Sequence, residues 1–327
     1  RRDSDFSVIL FVGIDANNNI YVLDYIRKRS LPVLGIPGAD KKGIVDYIFD
    51  YNNIYHPNLF CIEDTTMSKP IFQSINADMI YGLPLQTPQS FKQTIEQLIE
   101  LSPDRVSVFN YAHLPERFAA QRKIKDADLP SAHNKLTMFK NTLEQMTQAG
   151  YQFIGMDHFA KTDNELAVAQ NEGKLHRNFQ GYTTHGNCDL LGLGVSSISQ
   201  IGTAILQNQK ELKHYYHNVE TQSGSALNKG MHLTHDDVIR ADAIKQLICQ
   251  FELDIQDFSE KHALIFNDYF EDALVALAPL IKDELVTIID NKISVTPRGN
   301  LFIRIICMCF DAHLQKQINA TRFSRVI

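Results

Sequence analysis

The strand-turn-helix signal at residues 77–99 limits the fold of this chain more than any other feature. Ala77 to Leu83 reads as a strand, and Gly82 and Pro84 shape a turn at its carboxyl end. Thr87 suits an N-cap and Pro88 the first helical position, where a missing N–H costs nothing. Phe91, Ile95, Leu98 and Ile99 then recur at helical spacing and give the helix one apolar face. Ser102-Pro103-Asp104 breaks the helix, and Arg105 to Tyr111 reads as the next strand. Strand, helix and strand joined by short links form a right-handed parallel unit, so this part of the chain is α/β.

The flanking segments read differently. Residues 8 to 14 and 20 to 26 are β-rich runs joined by Asp15-Ala16-Asn17-Asn18-Asn19, which suits a hairpin. Ile44, Ile48 and Tyr51 suggest a helix, and Asn58 to Glu63 a short strand, so a small β-β-α-β unit ends near Pro70. Ser131 to Gln148 reads as a helix ending at Gly150, with Tyr151 to Met156 as another strand. Beyond Gly181 the chain is expected to be mostly helical, with helices at Gln209–Val219, His235–Gln250, Asp257–Lys261 and Asp268–Leu280. Gly192-Leu193-Gly194 marks a loop. Leu285–Ile289 and Lys292–Val295 flank Asp290-Asn291 as a hairpin, and Thr296 onward introduces a last helix through Phe310, an order like a winged helix.

Charge and cysteine content exclude some functions. A net charge of -6 argues against a nucleic-acid binder held by a broad basic surface. Five cysteines, odd in number and scattered, argue against a disulfide framework and fit a reducing cytoplasm. Cys307 and Cys309 sit in an apolar run and read as buried structural thiols rather than metal ligands. No apolar run is long enough to span a membrane, and Arg1-Arg2-Asp3 opens no apolar leader, so a cytoplasmic protein is expected. Asp78 in its strand reads equally as a hydrogen-bonded structural residue or as a ligand contact near the carboxyl end of a parallel sheet. Asp157 and His158 could form an orienting carboxylate-imidazole pair, although they are neighbours in a strand, where alternation is expected to point them to opposite faces.

Longer strings carry a resemblance. Asp78 to Phe91, Ser107 to Pro115, Gln121 to Pro130, Gly155 to Ala160, Leu175 to Thr184 and Phe323 to Ile327 resemble the oxygen-independent coproporphyrinogen III oxidases over about residues 72–327. The resemblance implies a radical SAM enzyme, in which a 4Fe-4S cluster cleaves S-adenosylmethionine. The deoxyadenosyl radical then takes hydrogen from a propionate of a tetrapyrrole substrate, carbon dioxide leaves and a vinyl group forms. It implies adenosylmethionine contacts at Asp78, Ala112 and Ile198. Gln180 and Arg177 are candidates for the tetrapyrrole pocket, where carboxylates favour amide and cationic donors, with structural hydrogen bonding as the alternative. For His176 the structural reading is preferred.

One departure weighs against turnover. Cluster ligation in that family needs three thiolates in a Cys-x-x-x-Cys-x-x-Cys loop, and Cys61, Cys188, Cys249, Cys307 and Cys309 offer no such spacing. Residues 5–70 instead resemble the nuclease domain of phage terminase large subunits, through Val12-Gly13-Ile14-Asp15, Asn19 to Tyr25 and Ile62-Glu63-Asp64-Thr65. That resemblance implies an RNase H-like fold with divalent metals (Mg or Mn), Glu63 as a ligand and nucleic acid as the partner. The expected architecture is α/β: an RNase H-like fragment at 1–71, the second half of a radical SAM barrel at 72–190, and a helical C-terminal domain at 191–327. The expected function is an oxidase-like protein inactive as it stands, with a nuclease fragment, or a fusion of two truncated frames with neither activity, as the alternative.

Overall fold

A computed structural model describes residues 6–14, 20–29, 74–116, 118–186, 188–221 and 226–315. Backbone contacts divide the chain into two compact units, Arg1–Phe60 and Cys61–Ile327. In the first, β1 (Phe6–Ile14) and β2 (Ile20–Arg29) pair antiparallel from Phe6↔Arg29 to Ile14↔Ile20, with a bulge between Phe11 and Val12, as the hairpin expectation has it. The expected helix near Ile44 to Tyr51, the strand at Asn58 to Glu63, and Cys61 and Glu63 themselves lie outside the described residues.

The second unit opens with the parallel pair that the sequence indicates. β3 (Asn76–Tyr81) runs beside β4 (Arg105–Asn110), connected by α1 (Pro88–Leu101). Thr87 caps α1 in a capping box with Ser90, and Ser102 stops it in a left-handed conformation at φ 52°. Ala77, Tyr81, Val106 and Val108 face α1 and α2 (Ala132–Gln148), which bury Phe91, Ile95, Leu98, Met138, Phe139 and Met146 against them. Each such large side chain contributes about 2 kcal/mol. On the opposite face Ile80 is 46% and Phe109 37% exposed, while Ser107, beside β6, is 3% exposed.

Beyond β4 the sheet departs from the half-barrel expectation. β5 (Tyr151–Gly155) turns back at once into β6 (His158–Lys161), and β6, antiparallel, takes the place beside β4, giving the order β3-β4-β6-β5. Among the described residues the sheet therefore holds one parallel pair. α3 (Glu165–Asn171) and the small hairpin of β7 (His176–Asn178) and β8 (Gly181–Thr183) lie over a second core containing Ile154, Leu166, Leu175, Tyr182 and Cys249.

The segment after Gly181 is less helical than its composition suggests. β9 (Ile198–Ile201), β10 (Ala204–Asn208) and β11 (Leu227–His232) form an antiparallel sheet, with α4 (Leu212–Thr221) between the last two. α5 (His235–Gln250) has the bounds expected, and is followed by β12 (Glu252–Asp254), α6 (Ile255–His262), α7 (Phe266–Tyr269) and α8 (Glu271–Lys282). β13 (Val286–Ile289) and β14 (Lys292–Val295) make the expected hairpin, and β14 also pairs with β12. A 3-10 turn at Gly299–Phe302 precedes α9 (Ile303–Met308), shorter than the helix expected there. Leu247, Leu253, Phe258, Phe266, Phe270, Ile293 and Phe310 fill the core of this region. No helix among the described residues is long and apolar enough to cross a membrane.

Candidate functional site

A cleft of about 700 Å³ opens at the carboxyl ends of β3 and β4. Parallel strands present their ligand-binding loops at this end. Its wall is apolar, through Tyr81, Val108, Leu136, Phe139 and Leu301, and its rim carries Asn110, His113, Asp126, Lys135, Asp157 and Arg304. Burial, with the nearby Asp157 carboxylate, raises the Tyr81 hydroxyl to about 12 despite the opposing Arg304 charge.

Two glutamines shape this end of the sheet. The Gly82 and Leu83 amides donate to Gln86 Oε1 at 2.6 and 3.2 Å, which closes the turn that Gly82 makes at φ +83°. Gln121 Oε1 accepts from the Leu114 amide at 2.6 Å, and its Nε2 donates to the Ala112 carbonyl at 3.0 Å. Both glutamines escape a reading by pattern, because a polar residue in a loop announces no partner until the backbone is placed. Replacing Gln121 with Ala is expected to free residues 112–114, with exchange of the Leu114 amide accelerating at least about tenfold in a native-state hydrogen-exchange measurement. An unchanged rate would show that the loop is held by other contacts.

The sequence candidates are not gathered in one place. Ala112 lines the cleft, whereas Asp78 and Ile198 do not. Asp78 is exposed on β3 and accepts from Asn76 Nδ2 at 2.8 Å. Ile198 opens β9, and its backbone lies so close to Gly192 that a Cβ there would stand 2.5 Å from the Ile198 carbonyl oxygen. Gln180 is exposed in the turn between β7 and β8, where its backbone N–H donates to Asn178 Oδ1 at 2.8 Å. The Arg177 guanidinium sits over the Tyr182 ring at 5.4 Å, with its Nε buried and unpartnered. His176 packs against Gly186, and burial, followed by the Lys245 charge, lowers its pKa.

The expectation that Asp157 and His158 point apart is overturned. His158 Nδ1 lies 2.7 Å from Asp157 Oδ1. Met156, at φ 53°, and Asp157 form the tight turn from β5 to β6, so strand alternation does not hold across them. Asp157 Oδ2 also meets Arg304 Nη2 at 3.9 Å, and the imidazole stands edge-on to Phe109 and Tyr182.

Three of the four described cysteines are built into the core. Cys249, Cys307 and Cys309 are buried, and burial pushes all three thiols up, Cys249 to about 12. Cys188 is exposed. Among the described residues no three His, Cys, Asp or Glu side chains converge to hold a metal ion.

Residues 233–302 match the HemN C-terminal domain family. The chain is 60% identical over 256 residues to oxygen-independent coproporphyrinogen III oxidase of Salmonella typhimurium, covering 78% of this chain and 56% of that protein. The Escherichia coli protein of the same name matches at the same identity and coverage. That of Thermostichus vulcanus is 44% identical over 256 residues, covering 78% of each chain. Among solved structures, one described as "Coproporphyrinogen III oxidase (HemN) from Escherichia coli is a Radical SAM enzyme" superposes with a TM-score of 0.72 at 60% identity, covering 75% of this chain and 56% of that one. The chain thus spans a little over half the length of the first two relatives. None of these matches bears out the resemblance of residues 5–70 to a terminase nuclease.

Proposed function

Because the chain belongs to the oxygen-independent coproporphyrinogen III oxidase family, we propose that it carries the cleft-bearing, C-terminal portion of such an oxidase. We further propose that its own 327 residues do not assemble the 4Fe-4S cluster. The observation that carries the first part is the cleft at the carboxyl ends of the parallel β3-β4 pair, within a region 60% identical to the Escherichia coli oxidase. Ala112 at its rim supports the adenosylmethionine contact that the family reading implies. Asp78 and Ile198 would make the remaining contacts from the open face of β3 and from the start of β9. Gln180 and Arg177 remain candidates for the tetrapyrrole, at the β7-β8 hairpin. The order α5, β12, α6, α7, α8, β13, β14 supports reading the C-terminal part as ending in a winged-helix-like unit.

The second part rests on cysteine chemistry. A cluster takes thiolates from one loop, and the residues present do not fit it: no Cys-x-x-x-Cys-x-x-Cys spacing occurs, and Cys249 and Cys307 lie buried in the core. Oxidative decarboxylation of the propionates of coproporphyrinogen III to vinyl groups, in porphyrin and heme biosynthesis, is accordingly not expected of this chain by itself. Anaerobic reconstitution with ferrous iron and sulfide, followed by iron and sulfide analysis, tests this. The expected result is no stoichiometric cluster, and four irons and four sulfides per chain with the absorbance of a bound cluster would overturn it.

A further inference from the structure

We propose, resting on the oxidase reading for the identity of the ligand, that His158 binds the tetrapyrrole by accepting a hydrogen bond from a pyrrole N–H. Asp157 is the positioning residue that holds the imidazole in the accepting form. The propionates take no part in this contact.

His158 lies on the face of the sheet turned away from α1 and α2, since its neighbour Phe159 packs into the core that those helices cover. Register places it beside Ser107 on β4, Ser107 beside Asp78 on β3, and Phe109 beside Ile80, so these five side chains share one face. Ile80, Phe109 and Asp78 are exposed there. The imidazole stands edge-on to both Phe109 and Tyr182, with centroids 6.0 and 5.2 Å away. Arg105, the arginine of the same face, is taken by Glu165 at 3.4 Å. The polar groups next to the exposed Ile80 and Phe109 are therefore acceptors, Asp78 and His158. Arg177, over Tyr182 at 5.4 Å, is left for the propionates.

The Asp157 contact decides which nitrogen is free. Nδ1 lies 2.7 Å from Asp157 Oδ1, and a carboxylate only accepts, so a neutral ring carries its hydrogen on Nδ1 and keeps the lone pair on Nε2. Asp157 is itself fixed: its carbonyl accepts from the Val108 amide at 2.7 Å, and its Oδ2 faces Arg304 Nη2 at 3.9 Å. That arginine supplies a counter-charge, so the carboxylate does not require a charged ring. Nε2 has no partner among the described residues, and the His158 side chain keeps 15% of its surface exposed. A Cβ on Gly181 would stand 3.5 Å from Nε2, in contact with it, and the φ of +130° keeps that position for glycine.

A lone pair beside exposed apolar side chains suits a donor carried on an apolar body, since an N–H seated there without an acceptor is costly. In a porphyrinogen the saturated bridging carbons let each pyrrole tilt and turn its N–H outward. In a porphyrin the ring is flat and the N–H groups face one another inside it. Coproporphyrinogen III and coproporphyrin III carry the same propionates, so comparing them separates the N–H contact from carboxylate binding.

Equilibrium dialysis of the full chain against each ligand, anaerobic and in the dark, with Soret absorbance read after oxidation, tests the contact. His158→Phe keeps a ring between Phe109 and Tyr182 and removes the acceptor, and His158→Gln returns one. The ratio of porphyrinogen to porphyrin affinity is expected to fall at least about fivefold in His158→Phe and to recover in His158→Gln. Circular dichroism of both variants would establish that they fold. In NMR of the chain with isotope-labelled histidine, the resonance assigned through either variant is expected to show a hydrogen on Nδ1 and a bare Nε2. Its Nε2 signal should shift with the porphyrinogen and not with the porphyrin. An unchanged affinity ratio in a folded His158→Phe, or a ring protonated on both nitrogens near neutral pH, would overturn the proposal and leave the tetrapyrrole reading standing. No saturable binding of either ligand would overturn both.

Discussion

Gly155→Ala is expected to be the most destabilising single substitution in the sheet, by about 4 kcal/mol or more. Two effects combine. Gly155 ends β5 at φ +143°, a conformation open to glycine and strained for alanine. The new methyl would also stand 2.3 Å from Tyr182 Oη, 3.1 Å from its Cζ and 3.2 Å from the Ile248 carbonyl oxygen. Tyr182 cannot yield easily: it is buried in the second core, and its hydroxyl donates to the Ile248 carbonyl on α5 at 2.9 Å. Displacing the ring would break the link between the β7-β8 hairpin and α5, and leave that carbonyl unpaired. Urea denaturation of the variant should show a large fall in midpoint, or an insoluble chain. The double variant Gly155→Ala/Tyr182→Phe separates the two effects in part, since removing the hydroxyl relieves the 2.3 Å contact and leaves the strain with the milder contacts at 3.1 and 3.2 Å. It is expected to be more stable than Gly155→Ala alone, a non-additivity typical of groups in contact. Additive losses would show that the ring is not the obstacle.

What could be read in the sequence was local. α1 was legible because its N-cap, its first-position proline and its apolar spacing lie within a dozen residues, and α5 and the β13-β14 hairpin were legible for similar reasons. β6 was not, because its four residues merge in the sequence with the strand before them, and the turn at Met156-Asp157 carries no glycine after its start. That one omission conceals both the antiparallel insertion beside β4 and the Asp157–His158 pair. β11 was missed for a different reason: every residue from Leu227 to His232 is exposed, so no alternation between core and solvent marks it. Of the cleft, Ala112 was named through resemblance. Lys135 is not legible there, since a lysine in the first turn of a polar helix reads as solvated, and only the placed backbone shows it lining the cleft beside Gly82.

Asp242→Ala is expected to cost about 1 to 3 kcal/mol, because it removes the buried acceptor on which the partly exposed Lys261 and Lys245 and the imidazole of His262 converge. Asp242 is 9% exposed on α5, and its carboxylate accepts from Lys261 Nζ at 2.7 Å and faces His262 Nε2 at 2.9 Å. Gln246 Nε2 adds a contact at 3.3 Å, and Lys245 stands 3.4 Å away. The carboxylate therefore ties α5 to α6 from inside a mostly apolar region. Burial alone would raise its pKa. The hydrogen bonds from Lys261 and His262, with the charges of Lys261 and Lys245, outweigh burial and bring it to about 2, below the usual 3.8. The folded state thus favours the ionised form, so the stabilisation is present in full above the unfolded value and is lost as pH falls from about 3.8 through about 2. Two readouts follow. At neutral pH the urea midpoint of Asp242→Ala should lie well below that of the unaltered chain. Asp242→Asn, which keeps the shape and an acceptor but not the charge, should fall between them. On acidification, the unaltered chain should lose stability across that window, and the Asp242→Ala chain should lose less, since the group that titrates is gone. A change of under about 1 kcal/mol at neutral pH would place the pair among weakly contributing surface contacts. In that case the link between α5 and α6 would rest on Leu247, Phe258 and their neighbours alone.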